Sequence, residues 1–307
     1  MIVAVLADIH ANLYALEKVL EETREVCDEY WFPGDLTGYG PHAVECVARV
    51  QELEPRLWWV AGNHDLALFG GDSRGVGLDD LDELAKQTGS INRCLLEGKP
   101  GLMRWHKERS REQDAQPQER KWGHDLYVLV HGSLIDYYRS YKYIEPGQSE
   151  SLRWEFKDMH ARALDNGAGF DARVCLFYGH THYPGFAWLE HGDDKANSIC
   201  FHYNKLFRNC QEVPLMPGLA IINPGSIGQP RDGDARASYL LLDTERHLMQ
   251  LKRVAYPVEN TVEDMQRAGF SGELREFLGD WLRVGQQPPY RPAEKSEEGL
   301  TTSPIGG

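Results

Sequence analysis

Apolar runs in this chain repeatedly end at a polar residue beside a glycine. Residues 2–7 form an unbroken apolar, largely β-branched run that stops at Asp8, as a central strand buried on both faces would. Leu13, Leu16, Val19 and Leu20 then recur at helical spacing, which predicts a helix over 12–24. Residues 29–32 predict a second strand, left through Pro33-Gly34-Asp35. A helix over 43–53 and a strand over 56–60 repeat the unit, and that strand runs into Gly62-Asn63-His64-Asp65. Strands alternating with helices predict a largely parallel sheet at the start, with polar residues gathered where the strands end.

Further along, 80–96 predicts a helix, whereas 104–122 is almost wholly polar, contains Pro117 and is expected as a surface insertion. A strand over 126–130 delivers His131; a helix over 151–164 follows, and a strand over 174–178 delivers Gly179-His180-Thr181-His182. The pattern then changes to strands without intervening helices, over 185–189, 198–203, 219–222, 239–243 and 247–254, which predicts an antiparallel second sheet. Helices over 262–268 and 273–284 complete a single domain of residues 1–285. Residues 286–307 are rich in Pro, Gly and charge and are expected as a disordered or loosely packed tail.

Composition changes little in this picture, but charge narrows the partners. A formal charge of −14 argues against stable binding of duplex nucleic acid, which rests on Lys and Arg neutralising phosphates. An acidic protein can still take a small phosphorylated substrate, because a bound cation can dominate the local field. The six cysteines lack C-x-x-C spacing and read as reduced thiols. The first residues carry neither a basic leader pattern nor an apolar run long enough for a bilayer, so no membrane association and a cytoplasmic location are expected.

The chemistry lies in Asp8-x-His10, Asp35, Asn63-His64, His131 and His180-x-His182, each placed after a separate apolar run. No one of these motifs is specific; the ordered set is. Carboxylate oxygen and imidazole nitrogen suit Zn, Mn and Fe, and no Cys belongs to the set, as a structural zinc site or an iron–sulfur cluster would require. Asp35 is the candidate bridge between two cations, and a pair about 3.5–4 Å apart can clamp a phosphoryl group during in-line displacement.

From Asp8-Ile9-His10-Ala11-Asn12 through Gly34-Asp35, Gly62-Asn63-His64-Asp65, His131-Gly132 and Gly179-His180-Thr181-His182 to Asn223-Pro224-Gly225-Ser226, the chain resembles the calcineurin-like metallophosphoesterase superfamily, in its compact bacterial and archaeal branch. That resemblance implies an α/β fold, a four-layer α/β/β/α sandwich of two mixed sheets flanked by helices. It implies one metal on Asp8, His10 and His182, another on Asn63, His131 and His180, with Asp35 bridging, and metal-activated hydroxide as the nucleophile. It assigns His64 to the phosphoryl or leaving oxygen, Asp65 to orienting the His64 imidazole, and Asn12 either to a phosphate oxygen or to holding the first loop.

Other candidates for substrate contact are His42, in the loop after Asp35, and Arg231, whose guanidinium could grip a second phosphate or form a plain salt bridge. The aromatic and basic segment 137–143 could stack a nucleobase or cover a sheet edge, and His106 is one of the histidines read as surface or structural. The expected activity is a binuclear phosphodiesterase or phosphatase on small or nucleotide-type substrates. The alternatives are a phosphoprotein phosphatase, a dinucleoside polyphosphate hydrolase, a DNA nuclease, which the charge disfavours, and a non-catalytic metal-binding scaffold.

Overall fold

Period-two alternation sorts the strand side chains into separate cores. The computed structural model describes residues 1–69, 77–113, 117–134, 149–169, 171–189, 200–203 and 212–288. Its strands are β1 (Ile2–Val5), β2 (Glu29–Phe32), β3 (Leu57–Trp59), β4 (Gln118–Trp122), β5 (Asp125–Leu129), β6 (Arg173–Phe177), β7 (Gly185–Leu189), β8 (Cys200–Tyr203), β9 (Glu212–Pro214), β10 (Gly218–Asn223), β11 (Ala237–Asp243) and β12 (Leu248–Val254). The helices are α1 (Leu13–Thr23), α2 (Ala43–Gln51), α3 (Asn63–Ala67), α4 (Glu83–Glu97), α5 (Pro100–Gln113), α6 (Ser149–Asp165), α7 (Val258–Arg267) and α8 (Gly272–Val284).

Among the described residues the strands form two mixed sheets, ordered β3-β2-β1-β11-β12-β9 and β4-β5-β6-β10-β7-β8. Val3, Val5, Trp31 and Trp58 of the first sheet meet Tyr127, Leu129, Phe177 and Ile222 of the second in the central core. The opposite face of the first sheet, with Ala4, Tyr30, Phe32 and Trp59, is covered by Leu16 and Val19 of α1 and Val47 and Val50 of α2. On the far side of the second sheet, Val128, Leu176 and Ile221 pack on Leu152, Phe156 and Met159 of α6. The layers are therefore helix, sheet, sheet, helix, as expected.

The late strands correct one expectation. They do not make a separate antiparallel sheet: β11 pairs antiparallel with β1, extending the first sheet to β12 and β9, while β10 lies parallel to β6 in the second. The apolar alternation of 239–243 states that a strand has a buried face, but not which neighbour completes its hydrogen bonds. The 104–122 stretch is also corrected. Its first part continues α5, whose inward stripe includes Leu102, Trp105 and the fully buried His106, and its second part is β4, paired antiparallel with β5. A sparse stripe ending in an imidazole and a hydroxyl, Ser110, reads as polar in sequence yet packs inward. Of the predicted tail, residues 289–307 lie outside the described residues, as does segment 137–143. Among the described residues, no helix is long and apolar enough to cross a membrane.

Candidate metal centre

The ligand-bearing loops depart from ordinary backbone. Asp8 (φ 51°), His10 (45°), Asp35 (62°), His180 (66°) and His182 (61°) all sit in the left-handed region, which side-chain-bearing residues rarely occupy. Neighbouring strand ends hold them there: Asp8 N–H donates to Gly34 O (3.0 Å), His10 N–H to Asp35 O (3.0 Å) and Gly179 N–H to His131 O (3.0 Å). The approach is close enough that a Cβ on Gly62 would lie 2.0 Å from Asp35 Oδ1.

These loops bring all seven expected ligands together. Asp8, His10 and His182 offer ligand atoms within 4.8 Å of one another, and so do Asp35, His131 and His180. His131 Nε2 joins the groups, 3.0 Å from Asn63 Oδ1 and 3.1 Å from Asp35 Oδ2, while the same Asp35 oxygen is 3.7 Å from His10 Nε2. Asp35 thus lies between the two sets.

Tautomers test whether cations fit. His10 directs Nδ1 at Thr37 O (3.0 Å), His182 at Gln229 O (2.6 Å) and His131 at Pro33 O (2.8 Å). A carbonyl only accepts, so each Nδ1 carries a proton and a neutral ring keeps its lone pair on Nε2. The Nε2 atoms of His10 and His182 then face each other across 3.0 Å, next to a buried Asp8 Oδ2 that has no hydrogen-bond partner among the described residues. Such a convergence of lone pairs suits cations, and imidazoles held by backbone carbonyls are the usual support of metal-binding histidines.

Electrostatics agree with this picture. Burial pushes the Asp8 carboxyl up to about 7 and the His10 imidazole down to about 3, and it carries His182 well below its ordinary value. Burial also opposes charge on Asp35 and His131, but their mutual attraction prevails. Asp35 is held well below the usual carboxylate range, and His131 is pushed up to about 9. A buried cluster like this needs positive charge, supplied either by protons or by metal.

His64 lies at the edge of the cluster, its backbone N–H on Asp35 Oδ1 (2.9 Å) and its ring 4.8 Å from those of His10 and Tyr39. Its Nδ1 has no partner among the described residues. Asp65 therefore does not orient it. The Asp65 carboxylate instead accepts N–H groups from Gly62, Asp35, Leu36 and Thr37, binding the Asp35 turn to the head of α3. Asn12 is likewise committed elsewhere: Oδ1 caps α1 by accepting from Ala15 N–H (3.3 Å), and Nδ2 donates to Gly228 O (3.0 Å). It holds the first loop. His42 is tied to α7 through Asp264 Oδ2 (3.0 Å) and packs on Tyr14, which withdraws it from the expected substrate contact. Arg231 lies over the Trp281 ring, 5.2 Å from its centroid, and its charge favours ionised Asp8 while disfavouring cationic His10 and His182.

The Asn223-Pro224-Gly225-Ser226 turn, which its composition marks as structural, braces the site. Asn223 Nδ2 donates to Gly179 O and Thr181 Oγ1, Ser226 Oγ donates to Asp8 O, and Gln229 supplies the carbonyl that fixes His182. Its closeness in sequence to Arg231 was the available signal; the contacts to residues more than 40 positions away were not.

Comparison with known proteins agrees with this geometry. A metallophosphoesterase from Sphaerobacter thermophilus superposes with a TM-score of 0.64 at 30% identity, covering 93% of this chain and 99% of that one. An uncharacterized protein of Methanocaldococcus jannaschii is 27% identical over 92% of this chain and 98% of its own length. A symmetrical bis(5'-nucleosyl)-tetraphosphatase of Erwinia tasmaniensis is 32% identical over 84 residues, 26% of this chain and 31% of that protein. The family model for the calcineurin-like phosphoesterase superfamily domain matches residues 1–247, a span that contains every candidate ligand described above, and the chain belongs to that superfamily.

Proposed function

We propose that this metallophosphoesterase hydrolyses small phosphodiesters or nucleotide-type phosphoesters at a centre for two cations, Mn, Fe or Zn. The observation that carries the reading is the pair of imidazole Nε2 atoms held 3.0 Å apart by carbonyls behind them, beside a partnerless carboxylate oxygen. Asp8, His10 and His182 would hold one cation, Asn63, His131 and His180 the other, with Asp35 shared. Two divalent ions so held supply positive charge for phosphoryl oxygens and make water acidic enough to lose a proton near neutral pH.

The chain's own groups do the rest. Left-handed loops pre-set the ligands, so little ordering remains when substrate arrives. Burial holds the His64 imidazole below its ordinary pKa in the free protein. An anionic phosphoester beside it opposes that shift, so His64 gains a proton where one is wanted, at the phosphoryl or leaving oxygen. Arg231, braced on Trp281, is positioned to bind a further phosphate oxygen. A dinucleoside polyphosphate is the second substrate reading, supported by the local similarity to the bis(5'-nucleosyl)-tetraphosphatase. The buried thiols Cys27, Cys46 and Cys175 support a reducing, cytoplasmic setting.

The test is turnover by Mn-, Fe- and Zn-loaded protein of bis-p-nitrophenyl phosphate, p-nitrophenyl phosphate, cyclic nucleotides, dinucleoside polyphosphates and phosphopeptides. Diester or nucleotide hydrolysis is expected. Protein that binds two metals yet turns over none of these is a scaffold, and one that cleaves only phosphopeptides is a protein phosphatase.

A further inference from the structure

Asp65 accepts more donors than a carboxylate has lone-pair sites, which number about four. Besides the N–H groups of Gly62 (3.1 Å), Asp35 (3.0 Å), Leu36 (3.0 Å) and Thr37 (3.1 Å), it takes the Thr37 hydroxyl (3.1 Å) and Nε2 of His106 (3.2 Å). The first five already satisfy it, and all come from the two turns that Asp65 joins. The sixth comes from another element. His106 is fully buried on α5, its ring 5.8 Å from Trp59 and edge-on to Phe69 at 5.2 Å. Its Nδ1 has no partner among the described residues, and an ionised carboxylate only accepts, so the ring proton lies on Nε2.

Three ligands depend on this carboxylate. Asp35 follows directly from the turn, Asn63 follows Gly62, and Thr37 O receives Nδ1 of His10. The short α3, residues 63–67, is a weak foundation for such a hub. A link to the fourteen-residue α5 gives it a firmer one.

We propose that His106 is a positioning residue for the metal pair: by fixing Asp65 to α5 it sets the spacing of Asp35, His10 and Asn63, and with it the affinity for cations. This rests on the two-cation reading above and adds a part of the molecule that touches neither metal nor substrate.

Gln and Met have nearly the same shape and length, and only Gln can donate. His106→Gln and His106→Met therefore differ chiefly by one hydrogen bond. Mn2+ binding is measured by chelator competition and by metal content after desalting, and activity is measured against Mn2+ concentration. For His106→Met, affinity should fall about 10- to 100-fold, with kcat recovering at saturating Mn2+, while His106→Gln stays within about threefold of wild type. In the wild-type protein, long-range 1H–15N spectra should show His106 protonated at Nε2, a measurement that needs no variant to fold.

Equal affinity in wild type and His106→Met, equal losses in Met and Gln, or a proton on Nδ1 overturns the proposal for His106 alone. Wild-type protein that binds none of Mn2+, Fe2+ and Zn2+ overturns the two-cation reading as well.

Discussion

His10 and His182 point Nε2 at Nε2 across 3.0 Å, and each donates its Nδ1–H to a backbone carbonyl from a different loop. Neither ring can rotate away without losing that carbonyl. The fold thus maintains a repulsion that a cation shared by the two nitrogens would relieve, and the variants below test how the surrounding residues divide the work.

His64→Ala should keep its metal and lose about 10²- to 10⁴-fold in kcat, the range for removal of a positioned proton donor. Metal content and steady-state rates on a diester check this together. Unchanged turnover removes His64 from the mechanism, and lost metal makes it a structural support of Asp35, whose Oδ1 accepts its backbone N–H.

Metal binding should release protons. In the metal-free protein His131, at about 9, carries a proton at pH 7, and Asp8, at about 7, is about half protonated. Cations displace both, so apparent affinity rises from pH 6 to 9, and calorimetry in buffers of different ionisation heat should show release of between about one and two protons at pH 7. The stability of metal-free protein runs the other way. His131 is raised above its ordinary 6.5, so its contribution is complete below about 6.5 and is lost as pH rises through about 9. Melting curves of chelated protein should shift downward over that window.

Arg231→Ala should raise KM by about tenfold or more for substrates with a second phosphate and by much less for a simple monoester, the loss expected for a charge-assisted hydrogen bond. Arg231→Lys should restore little, because an ammonium reproduces neither the planar fork nor the stacking on Trp281. Equal KM changes for both substrate types would place Arg231 outside the substrate site.

Gly62→Ala should be more harmful than its single methyl suggests. The added Cβ meets Asp35 Oδ1 at 2.0 Å and Asp35 N at 2.5 Å, so the backbone must shift, with or without the carboxylate, at a cost of about 1–3 kcal/mol. Thermal melting with and without metal should show the larger loss in the loaded protein. Equal losses would mean that the backbone alone moves.

The convergence of the candidate ligands was legible in the sequence because strand ends announce themselves: an apolar run stops, and Asp8, Asn63, His131 or His180 follows within two or three residues. The two mixed sheets with flanking helices followed from the family resemblance; periodicity gave the strands but assigned the late ones to a separate antiparallel sheet. Long-range roles were not. Asp65 looked like a partner for the adjacent His64 because both share one motif, but α3 turns its carboxylate toward Gly62 and the Asp35 loop. His106 left surface and structural readings open because its neighbours in sequence are charged; one helical face of α5 carries it inward to Trp59, on the structural side. Asn12 kept two readings open until its amide was found on Gly228, in a turn more than 200 residues away. Left-handed backbone at five ligands has no sequence signal, since Asp and His there replace the Gly that would normally mark it.

The pairing of β1 with β11 bears on how the protein is made. Val3 to Val5 align with Leu240 to Leu242, so β1, paired with β2 on one side, has its other edge covered only once the distant β11 has been made. This sheet cannot be completed piecewise as the chain is made. Asp8 and His10 precede by more than 200 residues Ser226, Gly228 and Gln229, which brace Asp8 and His182. A nascent chain short of that point would carry most of the candidate ligands without these braces, and metal acquisition is expected only of the completed sheet.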